Sequence, residues 1–290
     1  MNRRVAITGI GAVSPNGIGR EDFWRATQSG VSGVSRISRF DPDGFLVQVA
    51  GQVNGFEEDQ YVSAKDRPHV SRVAPLAVAA TSEALHDAGL DAASMTREEL
   101  RRVGVVVGSG GCSQEFSEEQ YRLYYEGKEK QCSVYVIPTS TPGTLASEVS
   151  MRFGFRGFSH LISTGCTSST DAIGYAYRNI QSGVLDCIVA GGVDAPIAPL
   201  IMRGFILMRI LAAKWNDAPE RASRPFSGDR GGFVLGEGSW FFVMEEMEHA
   251  LRRGARIYGE VAGYGSTCEA YHRVRLEECG EEPARAICLA

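Results

Sequence analysis

His160-Leu161-Ile162-Ser163-Thr164-Gly165-Cys166-Thr167-Ser168-Ser169 reads as a short strand that bends at a glycine into the start of a helix. The helix is signalled downstream, where Ile173, Ala176, Tyr177 and Ile180 form one apolar stripe before Gly183. That is the spacing of a helix with one buried face. To either side lie two continuous apolar runs, Val103-Gly104-Val105-Val106-Val107-Gly108 and Cys187-Ile188-Val189-Ala190-Gly191-Gly192. Unbroken runs of this kind belong to strands covered on both faces, and strands alternating with helices predict an α/β architecture.

The pattern continues toward both ends. Val5-Ala6-Ile7-Thr8-Gly9 predicts a first strand, and Glu21 to Ser29 a helix stopped by Gly30. Between His69 and Gly89, Val73, Leu76, Ala77, Ala80 and Ala84 fall on one helical face, and Pro142 to Gly154 predicts a further helix. Gly232 to Gly236 and Ser239 to Glu245 read as an antiparallel hairpin turned at Gly236-Glu237-Gly238. A helix from Glu246 to Arg253 stops at Gly254, and Ile257 to Gly263 opens a new strand. Glu281-Glu282-Pro283 starts a last helix, acidic residues and proline being favoured in a first turn. Ile287 and Leu289 then have nothing visible to pack on, so we expect the chain to be part of a longer parent.

Composition excludes several classes. The chain has 290 residues, 43% of them hydrophobic and 22% charged, with a formal charge of −5. Such a chain suits globular packing, and its charge supplies no global field to hold nucleic acid or an anionic membrane. No stretch approaches the about twenty apolar residues of a membrane span. The first apolar run is broken by glycines and has no small-residue cleavage site, so it reads as a buried first strand rather than a signal peptide. Seven scattered cysteines without an export signal read as reduced thiols in a cytoplasmic protein.

Cys166 stands apart from the other six. A side chain at a sharp strand-to-helix turn is presented above the sheet, as in the serine elbow of hydrolases. The helix N-terminus favours a thiolate there, and its amides can hold the oxyanion of a thioester under attack. Cys132, Cys187 and Cys288 read as packing residues, and Cys112 as a loop residue beside a pocket. Cys268, His272 and Cys279 fit no common zinc spacing, so no metal is expected. Gly9-Ile10-Gly11 follows a strand but lacks the third glycine and the acidic residue of a dinucleotide site, so these glycines read as packing positions and no cofactor is expected.

Several longer motifs occur in order along the chain. They are Thr164-Gly165-Cys166-Thr167-Ser168 with Asp171-Ala172-Ile173-Gly174, then Ala190-Gly191-Gly192-Val193-Asp194-Ala195 and Arg224-Pro225-Phe226. They continue with Asp229-Arg230-Gly231-Gly232-Phe233-Val234-Leu235-Gly236-Glu237-Gly238 and Glu269-Ala270-Tyr271-His272. Together they resemble the β-ketoacyl-(acyl carrier protein) synthases, and Gly165 to Ser168 resembles the catalytic ketosynthase subunits of bacterial type II polyketide systems. The resemblance implies a thiolase-like fold, with residues 1–254 as the N-terminal half carrying the nucleophile and residues 255–290 as the truncated start of the C-terminal half. It implies decarboxylative Claisen condensation in polyketide or fatty-acid biosynthesis: Cys166 takes an acyl group from a carrier-protein thioester, and a malonyl-derived carbanion attacks it. The partners implied are an acyl carrier protein and a second subunit, either an identical chain or a chain-length-factor-like subunit.

The same resemblance suggests lesser roles. Gly111, Phe233 and His272 fall at substrate-binding positions, with Gly111 widening the acyl pocket. Lys65, Arg72, Lys128, Lys130 and Arg209 match a basic rim that meets the acidic carrier protein. The family's two catalytic histidines and a glycine-rich Phe loop lie beyond the part matched here, and His69, His86, His160, His249 and His272 match neither histidine motif. The 290-residue chain is therefore expected not to condense on its own. The alternative is a non-catalytic partner or truncated relic of a ketosynthase dimer.

Overall fold

The computed structural model describes residues 3–290. Among the described residues the strands are β1 Val5–Ser14, β2 Gly17–Ile18, β3 Val34–Arg36, β4 Val49–Gly51, β5 Val103–Gly108, β6 Ser159–Ile162, β7 Cys187–Asp194, β8 Gly238–Glu246 and β9 Gly259–Val261. Ten helices run α1 Arg20–Gln28, α2 Val73–Asp87, α3 Arg97–Arg101, α4 Gln114–Tyr125, α5 Val136–Ser140, α6 Thr144–Phe153, α7 Ser168–Gln181, α8 Pro199–Leu207, α9 Met247–Arg252 and α10 Glu281–Leu289.

The main sheet has the order β2-β1-β8-β7-β5-β6, with β9 also paired to β1, while β3 and β4 form a separate ribbon. β5 is parallel to β6 and β7, and β8 is antiparallel to β7 and β1. One face is covered by α2 and α6, whose Leu76, Ala80, Leu145 and Val149 join Val105, Val107, Val189 and Phe241 in the largest core cluster. On the other face, Ala172, Ala176, Tyr177 and Ile180 of α7 pack on Val106, Ile188, Ala190 and Met244. Burying one such aliphatic side chain contributes about 1.5–3 kcal/mol, so the sheet and α7 are held in a fixed relation. Gly9 and Gly11 let α2 lie directly on β1, because a Cβ at either would collide with the carbonyls of Ala84 and Ala80. No helix among the described residues is long and apolar enough to cross a membrane.

Two expectations are corrected. Residues 232–236 form no hairpin with β8, because both edges of β8 are taken by β1 and β7. That segment instead threads between two loops: Phe233 N donates to Ile210 O at 2.8 Å, and Gly51 N to Leu235 O at 2.8 Å. β6, the strand before Cys166, is the last strand of the sheet and is only partly buried. The strand expected at 257–263 shortens to β9 and adds to the first sheet beside β1. Beyond it, Tyr264 lies on Gly174 of α7 and Gly265 lies under Ala286 of α10.

Candidate functional site

Cys166 sits in a single 3-10 turn, Gly165–Thr167, between β6 and α7. Gly165 has φ +70°, a left-handed conformation that glycine adopts without penalty, and it lets the chain reverse in so few residues. The thiol is exposed. No side chain caps the turn or the first amides of α7, so the positive end of the helix dipole is left open at the turn that carries Cys166.

Two carboxylates brace this turn. Asp171, one turn into α7, accepts from Thr164 Oγ1 at 2.5 Å and Thr167 Oγ1 at 2.9 Å through one oxygen, and from the Tyr264 hydroxyl at 2.5 Å through the other. Burial raises its carboxyl, but hydrogen bonds from Thr164, Tyr264, Thr167 and Ser266 outweigh burial and hold it below the usual aspartate range. The backbone is pinned from within as well: Ser168 Oγ donates to Gly165 O at 2.6 Å and accepts from Thr164 N at 3.0 Å.

Asp194, at the end of β7, holds the neighbouring loop. Its carboxylate accepts from Ser109 Oγ at 2.9 Å, Gly110 N at 3.0 Å and Gly111 N at 2.7 Å. A Cβ on Gly110 would stand 3.1 Å from Gly165 O, so the loop after β5 lies against the Cys166 turn. The C-terminal ends of three adjacent strands, β5, β6 and β7, thus converge on the thiol, the usual place for a site in an α/β sheet.

The other expected residues are placed as follows. Gly111 is half-buried, and a Cβ there would meet Asp194 Oδ1 at 3.3 Å and Gln114 Oε1 at 3.7 Å. Phe233 is 67% exposed beside Phe226, Arg224 and Arg230, with which it lines a cavity of about 780 Å³. His272 is exposed, and its Nδ1 accepts from Val274 N and Arg275 N at 3.1 Å. Lys65, Lys128, Lys130 and Arg209 are exposed, with Lys128 Nζ 2.7 Å from Glu126.

Arg72 is a correction. Its side chain is 6% exposed, donating to both oxygens of the buried Glu237 at 2.8 and 2.7 Å, to Val53 O at 3.0 Å and to Glu58. It begins α2 inside the protein, so no charge is left for a surface rim. Cys288 is exposed rather than packed, whereas Cys112 and Cys187 are buried, which raises both thiols. His249 places its Nδ1 2.7 Å from buried Glu245.

Asp171 and Asp194 were named in the sequence only as members of motifs, without a role, and Tyr264 was not named. A role for Asp171 was legible, because Thr167 and Asp171 are four apart and so share a helix face. Asp194 also left a trace, an acid directly after a buried apolar strand. Tyr264 is distant in sequence and left none.

Comparison with known proteins identifies the family. The family described as Beta-ketoacyl synthase, N-terminal domain, matches residues 2–250. The 3-oxoacyl-[acyl-carrier-protein] synthase 2 of Vibrio cholerae is 39% identical over 285 residues, covering 98% of this chain and 68% of that protein. A polyketide beta-ketoacyl synthase 1 of Streptomyces halstedii is 40% identical over 293 residues, covering 99% and 68%. The solved ishigamide ketosynthase/chain length factor superposes with a TM-score of 0.87 at 30% identity, over 100% of this chain and 69% of that one. The chain therefore belongs to the β-ketoacyl synthase family and has its thiolase-like fold.

Proposed function

We propose that Cys166 is the acyl-accepting nucleophile of a 3-oxoacyl-(acyl carrier protein) synthase working in polyketide biosynthesis. The observation that carries this is the exposed thiol on the left-handed Gly165 turn, at an uncapped helix N-terminus, braced by Asp171 and Asp194. The Cys166 sulfur adds to the thioester carbonyl of an acyl carrier protein, and the developing oxyanion faces the amides at the start of α7. The carbonyl re-forms as the carrier's C–S bond breaks. The carrier sulfur leaves as a thiol with the proton that Cys166 gives up, and the acyl group stays on Cys166.

Residues 1–254 are the half that carries the nucleophile, and residues 255–290 begin the second half. Condensation needs more, because the malonyl carbanion requires electrostatic support and the imidazoles here are placed elsewhere. His69 bonds Ser133, His249 bonds Glu245, His272 closes its own loop, His86 is near the end of α2 and His160 stacks on Phe158. A second subunit, identical or like a chain length factor, fits the open edge of β6, since an unpaired edge strand is a template for pairing. Phe233 and His272, both exposed, are the candidates for contact with the substrate.

Iodoacetamide labelling with mass spectrometry tests the nucleophile. Cys166 should react at neutral pH ahead of exposed Cys268, Cys279 and Cys288, and an acyl thioester should protect it. Cys166→Ala should remove both acylation and the selective label, and the 290-residue chain should acylate without elongating with malonyl thioester. Equal labelling of the four exposed cysteines, or acylation that survives Cys166→Ala, would overturn the assignment.

A further inference from the structure

A cavity of about 610 Å³ opens between α2, α5, α6 and the 61–70 segment, a volume that suits a small organic molecule. Val62, Val70, Val78 and Met151 make its walls largely apolar. Tyr61, stacked on Phe56, and Tyr135, edge-on to His69, add two aromatic rings held in place by those contacts. No residue of the Cys166 turn lines it.

Charge in this cavity is unbalanced. Glu148 of α6 is half-buried in the wall and has neither a hydrogen bond nor an ion pair among the described residues. Asp66 lines the same space, is exposed, and its carboxylate accepts from Ser63 Oγ at 2.7 Å. Burial and the charge of Asp66 push the Glu148 carboxyl above the usual range. Arg152, which also lines the cavity, is exposed and pairs with neither carboxylate among the described residues. A smaller recess, again lined by Glu148, reaches Ser71, and Ser71 Oγ donates to Glu115 Oε1 at 2.5 Å. Glu115 Oε2 is buried and has no hydrogen-bond partner, although buried polar atoms are ordinarily paired.

A cation is what this space lacks, and the walls decide its kind. A hard metal ion needs a shell of about six oxygen ligands, whereas no group of three His, Cys, Asp or Glu side chains among the described residues is placed to hold one. An ammonium needs only a few acceptors, and a hydrocarbon body attached to it would cover the apolar wall. We propose that this cavity binds an amphiphilic organic amine, with its ammonium between Glu148 and Asp66 and its hydrocarbon body against Val70, Val78 and Met151. The tyrosine rings favour the same cation through their π faces. The proposal is independent of the acyl-transfer reading, because Cys166 and its braces Asp171 and Asp194 lie outside the cavity.

The test is equilibrium dialysis of the intact chain at neutral pH and low salt against 3,3-diphenylpropylamine and 3,3-diphenylpropan-1-ol, which share one hydrocarbon body and differ in charge. The amine should bind about tenfold tighter than the alcohol, and Glu148→Gln should cut that ratio about fivefold. Arg152→Gln should tighten the amine about twofold, since it removes the lining's opposing charge. That gain is one a folding defect cannot imitate. Cys166→Ala should bind the amine as the unaltered protein does. Equal affinity for amine and alcohol, no saturable binding of the amine, or a ratio unchanged by Glu148→Gln would overturn the proposal while leaving Cys166 as nucleophile. Loss of amine binding after alkylation of Cys166 would put the amine in the substrate site and overturn it too.

Discussion

At the scale of single residues, the turn that carries Cys166 is held by acceptors on neighbouring segments. Asp194 ties Ser109, Gly110 and Gly111 together from the end of β7, and that loop abuts Gly165. Removing the carboxylate leaves two amides and a hydroxyl to find other partners at once. Asp194→Ala should lower stability by about 2 kcal/mol, as expected when donors lose a partly buried acceptor, and should slow Cys166 acylation about tenfold. Urea unfolding and thioester uptake measure the two effects. Uptake as fast as in the unaltered protein would show that the Gly110–Gly111 loop does not position the turn. Gly111 is bound into the same arrangement, since any Cβ there approaches Asp194 before it reaches open space.

At the scale of elements, the junction of β1, β8 and α9 is built around a buried charge. Glu245 of β8 is fully buried, and it accepts from Thr8 of β1 at 2.5 Å, from Arg253 at 2.9 and 2.5 Å, and contacts His249 of α9 at 2.7 Å. Burial raises its carboxyl, yet hydrogen bonds from Arg253, His249 and Thr8 prevail and hold it at about 2. Because the folded value lies below the ordinary one, the resulting stability is present above about pH 5 and is lost as pH falls toward 2. The loss is about 3 kcal/mol at 1.36 kcal/mol per unit. Glu245→Gln should remove this acid-dependent part, so its unfolding free energy between pH 5 and 3 should fall less steeply than that of the unaltered protein; parallel slopes would refute the assignment. The alternation of strands and helices was legible in the sequence because each element carries its own period, and α2, α7 and β7 lie within a few residues of where that period puts them. Pairing was not legible. Residues 232–236 are a short apolar run between glycines that reads like a hairpin strand, but the edge they would need on β8 is taken by β1 and β7 from far along the chain. The Cys166 turn was legible because glycine, strand end and helix start are adjacent in sequence, while the braces from Asp194 and Tyr264 arrive from distant segments.

At the scale of the whole molecule, a formal charge of −5 means that an acidic carrier protein meets repulsion at long range. It can dock only through a local basic patch, whose attraction is screened within a Debye length of about 8 Å at physiological salt. The structure separates two kinds of basic residue that look alike in the sequence. Lys65, Lys130 and Arg209 are exposed and have no ion-pair partner among the described residues, so reversing them to Glu should leave folding within about 0.5 kcal/mol of the unaltered protein. It should also weaken carrier binding and flatten its salt dependence. Arg72 is spent inside the protein on Glu237 and Glu58, and Arg72→Ala should cost about 3–5 kcal/mol, because a buried carboxylate loses its counter-charge. Titrating each variant with carrier protein at low and high salt, beside urea unfolding, resolves the two roles. If the triple reversal binds as tightly as the unaltered chain, carrier docking uses another face. If Arg72→Ala unfolds normally but loses the carrier, the buried pair with Glu237 opens in solution and Arg72 belongs to the rim after all.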